Sequence, residues 1–86
     1  MPEISRFFGI RIAMFFNEHN PPHFHALYEG RKVAVDIRTL AVSEGSISPR
    51  AQGLVIEWAA LHQQDLMAAW NQIRAGQTPG KIAPLE

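Results

Sequence analysis

Three of the four histidines in this 86-residue chain, His19, His23 and His25, lie together in the stretch HNPPHFH, and the chain has no cysteine. Imidazole titrates near neutrality, so it can move a proton or, when neutral, bind a metal. Histidines two apart on a strand point the same way. Two chemistries follow. In the first, His23, His25, Asp36, Arg38 and Arg11 form a catalytic set of the kind a metal-independent ribonuclease would need. Arginine forks would grip phosphate oxygens, Asp36 would hold the His23 tautomer, and the histidines would act as general acid and base. In the second, His19 swings across the two prolines to complete a ligand triad with His23 and His25 for a divalent metal such as Zn²⁺, Fe²⁺ or Ni²⁺. On the first reading no cofactor is required. A plainer account also fits, in which these side chains are the polar outer face that antiparallel sheets usually present to water.

The elements that must position these groups read as strands first and helices second. Residues 4–8 and 10–16, parted by Gly9, are rich in Ile and Phe, and Ile10, Ile12, Met14 and Phe16 alternate with Arg11, Ala13 and Phe15. That is the period of a half-buried strand. Residues 23–28 and 31–39 flank Glu29-Gly30, an X-Gly pair of the type that closes a two-residue hairpin. Such a loop sets Tyr28 opposite Arg31, and hence Ala26 opposite Val33, Phe24 opposite Val35 and His23 opposite Asp36. A slip of one residue would turn the valines to water, so the apolar pattern protects this register. His23 and Asp36 are expected as neighbours on the face without helices. Phe15 falls on that polar face, where it could stack on a base or meet a partner. Phe7, Phe8, Phe16, Phe24, Trp58 and Trp70 are expected in the core.

Residues 43–48 read as a polar connector. Ser48-Pro49 then supplies an N-cap residue and a proline at the first helical position. Leu54, Val55, Trp58 and Leu61 form one helical stripe, and Leu66, Trp70 and Ile73 form another that does not line up with it. Two helices are therefore expected, over about 49–61 and 64–75, with a break near His62 and Gly76 closing the second. The tail over 77–86 should be irregular and pinned by Ile82 and Leu85. The fold class is α+β: an antiparallel sheet of about four strands with two C-terminal helices on one face, in a single domain over 1–86.

Composition narrows the function classes. Eight basic residues balance eight acidic ones, so a wholesale phosphate-binding surface is not expected, although a local basic cluster is compatible. The lack of cysteine excludes disulfides, zinc-thiolate centres and thiol nucleophiles. No nucleophile elbow, phosphate-cradling loop or helical H-E-x-x-H occurs. The longest apolar run near the N-terminus, Ile12 to Phe16, is too short for a signal peptide core or a membrane span, and the expected location is cytoplasmic.

The segments RFFGIRIAMFF (6–16), PPHFHALYEG (21–30), VAVDI (33–37), SPRA (48–51), EWAALH (57–62) and WNQIRAG (70–76) resemble a family of short bacterial proteins, domain of unknown function 4160. The likeness runs over nearly the whole chain, and PPHFH is its most specific part. It implies a toxin–antitoxin component, more usually the toxin side, encoded beside a small cognate protein. Members often carry an acidic residue before the histidine that corresponds to His19, as Glu18 does here. The family brings no catalytic residues to carry over. The leading expectation is a toxin-like component acting on RNA or translation. The alternatives are a non-enzymatic antitoxin or scaffold that binds a partner protein, and a small metal-binding domain. Self-association is left open, and no membrane partner is expected.

Overall fold

Two tight turns, each ending in glycine, set most of the sheet. The computed structural model describes residues 2–86. In it β1 (Glu3–Phe7) and β2 (Ile10–Ala13) are joined at Phe8-Gly9, and β3 (His23–Tyr28) and β4 (Arg31–Asp36) at Glu29-Gly30. Both residues of each loop have positive φ, between 51° and 79°. This is the type I′ geometry that matches the right-handed strand twist. The second hairpin has the expected register, with His23 opposite Asp36 and Phe24 opposite Val35.

A fifth strand, β5 (Val42–Gly45), completes an antiparallel meander in the order β1-β2-β3-β4-β5. Residues 43–45 are thus not the connector that the sequence suggested. No apolar alternation marks them, because every residue of β5 is exposed at the sheet edge. β4 also ends sooner than expected, at Asp36. The Asp36 carboxylate accepts the Arg38 and Thr39 amides, Leu40 N–H reaches the Asp36 carbonyl, and the chain turns back into β5. An aspartate accepting from backbone amides two and three residues on competes directly with a longer ladder.

β2 likewise stops at Ala13 rather than Phe16. This and the Phe8-Gly9 turn overturn two core assignments: Phe8 is 60% exposed and Phe16 44%. Phe8 lies outside the ladder in its turn, and Phe16 lies beyond the strand end. Phe7, Phe24, Trp58 and Trp70 are buried.

Helix α1 (Pro49–Leu61) starts at Ser48, whose Oγ accepts the Ala51 amide, and α2 (Gln63–Arg74) follows after His62 alone. Gly76 and Gln77 donate to the Ile73 and Gln72 carbonyls, a Schellman close to α2. Trp58 of α1 packs against Phe7 and Phe24, with ring centroids 5.4 and 5.9 Å away. The tail is tied down where that indole lies. Trp58 Nε1 donates to the Ala83 carbonyl at 2.8 Å, and Ile82 N–H donates to Ile4 O along the free side of β1. At the other end of the sheet Gln63 of α2 donates to the Ile37 and Arg38 carbonyls, so α2 lies where β4 finishes and β3 begins.

Candidate functional site

The outer face of the sheet is ordered in rows set by the strand register. One row runs Glu3, Ala13, His25, Ala34, Glu44 across all five strands. The next runs Arg6, Arg11, Leu27, Lys32. On the other side of His25 lies the pair His23 and Asp36. The alanines flanking His25 leave room for its ring to lie down, and Phe15 covers it edge-on with centroids 4.5 Å apart. His25 is consequently only 7% exposed although it belongs to the outer face.

His23 and His25 meet edge to face as neighbours, centroids 5.3 Å apart. Glu18, from the loop between β2 and β3, brings its Oε2 to 3.6 Å from His23 Nε2. One ligand atom from each of Glu18, His23 and His25 lies within 4.8 Å of the others, the one such group of three among the described residues. His23 Nδ1 lies 2.7 Å from the Pro21 carbonyl. A carbonyl only accepts, so Nδ1 must carry the proton and donate it. In the neutral ring the Nε2 lone pair then faces Glu18.

His25 Nδ1 is buried without a hydrogen-bond partner. Burial, and then the neighbouring His23, hold the His25 pKa below its ordinary value. An imidazolium there would lose hydration that the carboxylates of Glu18 and Glu44 offset only in part. Burial thus favours the neutral imidazole at His25. Glu18 and His23 line a cleft of about 250 Å³ together with His19, Asp36, Ser43 and Glu44, whereas His25 lines an adjoining pocket of about 130 Å³ with Lys32 and Glu44.

The residues singled out from sequence divide into three places. His23, His25 and Asp36 share one end of the outer face, but Asp36 does not hold the His23 tautomer, since its Oδ1 is engaged by the turn amides and the Pro21 carbonyl does that work instead. Arg11 belongs to a different group, its Nε 3.6 Å from Glu3, which Arg6 also meets at 2.6 Å. Arg38 is exposed in the turn after β4. His19 lines the cleft but is exposed and stands outside the three-residue group; Asn17, at φ 68°, reverses the chain just before Glu18 turns inward. Nor is His23 on a helix-free surface, because its ring lies 5.3 Å from Trp70 of α2. Glu18 was missed. Its one signal was being the carboxylate nearest the histidine run, and a loop residue has no parity to aim it.

A five-stranded meander with two helices behind it and a carboxylate–imidazole cluster at one end of its outer face defines a small α+β protein built around a polar cleft. The chain belongs to the family described as Domain of unknown function (DUF4160), whose model matches residues 9–71. That span reaches from the first hairpin turn into α2 and contains the whole cluster. No curated protein and no solved structure matches the chain. Among the described residues no helix is long and apolar enough to cross a membrane.

Proposed function

We propose that this protein is the toxin-side component of a bacterial, cytoplasmic two-gene module, that it acts on RNA or on translation, and that a small cognate protein encoded nearby restrains it. The observation that supports RNA most directly is the basic row. Arg6 and Arg11 are neighbours on β1 and β2, both against Glu3, and Lys32 of β4 continues the same row beyond Leu27, one row from His25. Phosphate contacts position a nucleic acid without reading its sequence, and three cations in line suit a backbone lying across the strands. Lys32 also sits 5.4 Å over the Phe15 ring, whose edge touches His25. Phe16, the next residue in the chain, is exposed and offers a stacking surface. RNA laid along the row would bring the Glu18–His23–His25 cluster alongside its backbone.

Expressed alone in a bacterium, the chain should slow growth, and coexpression of the neighbouring gene should relieve the effect. In vitro, Arg11→Ala and Lys32→Ala should each weaken RNA binding uniformly across sequences and reduce the salt slope by about one. Normal growth at high expression together with no RNA binding at low salt would overturn this reading. A non-enzymatic binding module is the second reading. It is favoured by β5, whose exposed edge could accept a strand from a partner protein. It would prevail if the neighbouring protein binds while His23→Ala and His25→Ala leave every phenotype intact.

A further inference from the structure

We propose that Glu18, His23 and His25 form a binding site for one divalent first-row transition-metal ion, such as Zn²⁺, Fe²⁺ or Ni²⁺, whose remaining coordination positions open into the cleft. Ligand spacing supports this first. An ion with tetrahedral bonds of about 2.0–2.2 Å keeps its ligand atoms about 3.3–3.6 Å apart. His23 Nε2 and Glu18 Oε2 already stand 3.6 Å apart, and the third ligand atom lies within 4.8 Å of both. Closing the set needs side-chain movement of about an ångström and no change in the sheet.

The hydrogen bonds around the cluster are those of a ligand set. His23 donates from Nδ1 to the Pro21 carbonyl, the outer-sphere bond that metal-bound histidines usually make, and this leaves Nε2 free to coordinate. An ion pair between Glu18 and His23 would account for two of the three residues only. It would leave His25 Nδ1 buried without a partner, a cost that native structures rarely accept. His25 is more than nine-tenths buried, at the edge of the same cluster.

Charge points the same way. Asp36 and Glu44 line the cleft together with Glu18, and no lysine or arginine does, while Lys32 stands in the adjoining pocket beside His25. A cation is favoured there, whereas a phosphate arriving alone would meet the carboxylates of Glu18, Asp36 and Glu44. Two imidazoles with one carboxylate, and no thiolate, suit a borderline transition metal rather than Mg²⁺ or Ca²⁺, which prefer oxygen ligands. Such a metal would also let the cleft accept a phosphate oxygen. That last clause rests on the RNA reading above; the metal site does not.

The test uses the untagged full chain, stripped with a chelator and titrated with Zn²⁺ by calorimetry and with Co²⁺ by visible absorption. One ion per chain should bind, with d–d bands of a nitrogen–oxygen site. Glu18→Gln and His23→Asn should each weaken binding at least ten-fold, while His19→Ala and Asp36→Asn change it less than three-fold. Binding should weaken as pH falls, because protons compete for the imidazoles. His25→Asn should also weaken binding. Should that buried substitution unfold the chain by circular dichroism, the two more accessible ligand variants decide alone. No stoichiometric binding, binding indifferent to Glu18→Gln and His23→Asn, or binding abolished by His19→Ala would each overturn the site. Stoichiometric binding in a protein that neither slows growth nor binds RNA would remove the RNA reading and leave the metal site standing.

Discussion

Asp36 shows how one side chain can be pre-empted by its own backbone. The register sets it opposite His23, yet its Oδ1 accepts the Arg38 and Thr39 amides at 2.8 and 2.9 Å. Those donors, Thr39 foremost, hold the Asp36 carboxyl below its usual 3.8. The folded value is the lower one, so the unfolded chain takes up the proton first as pH falls. The contribution is therefore complete above about pH 4 and disappears as pH drops through the folded value. Asp36→Asn keeps an acceptor and removes the charge, and at this exposed position it should cost under about 1 kcal/mol. Asp36→Ala removes the acceptor as well and should cost about 1–2 kcal/mol. Urea midpoints at pH 7, 5 and 3 provide the check. The gap between the native chain and the Asn variant should narrow at pH 3, and a constant gap would show that the charge contributes nothing.

At the scale of elements, glycines with the same φ differ by what surrounds them. Gly30, at φ 77°, has nothing within 4 Å of where a Cβ would stand, so Gly30→Ala costs only the left-handed strain, about 1 kcal/mol. Gly45, at φ 76°, would place its Cβ 2.2 Å from the Lys32 carbonyl oxygen. Backbone cannot rotate away as a side chain can. Gly45→Ala should cost roughly 2–4 kcal/mol and loosen β5. Hydrogen exchange of the Ala34 amide, on the side of β4 that faces β5, would register that loss, and equal costs at the two glycines would contradict it. Ser48→Ala should cost about 1 kcal/mol by leaving the Ala51 amide without its cap.

For the whole molecule the tail acts as a clasp. Ile82 is buried in the core, and the Ala83 carbonyl satisfies the indole N–H of Trp58, itself fully buried. A chain ending at residue 79 would lose about 2 kcal/mol of Ile82 burial and about 1–3 kcal/mol for the orphaned indole N–H. Chains of this size have roughly 4–13 kcal/mol in all, so that loss is a large share of it. Denaturant unfolding of the truncated chain should show a much lower midpoint. A native-like midpoint would mean that the tail is dispensable. Trp58→Phe in the full chain removes the hydrogen bond and part of the buried ring, so it should cost more than the about 1 kcal/mol of the bond alone.

The local order of this protein was written in its residues. Val33, Val35, Phe24 and Ala26 with Glu29-Gly30 determine one hairpin and its register, because a slip exposes every apolar side chain at once. Ser48-Pro49 and Gly76 mark where helices begin and end, because capping is a contact over three or four residues. Whatever lacked periodicity was silent. β5 is exposed throughout, so its pairing with β4 is visible only once the Asp36 turn folds it back. Phe8 and Phe16 read as core by type, and only the ends of β1 and β2 turn them to water. The candidate site divides along the same line. Alternation aligns His23 with His25, since both belong to one strand. Glu18 joins them from a loop and Trp70 from α2, while Asp36, opposite in register, is held elsewhere. Alternation binds residues within a strand and a turn binds those across a hairpin, but what a loop carries to a sheet is decided only by the packed chain.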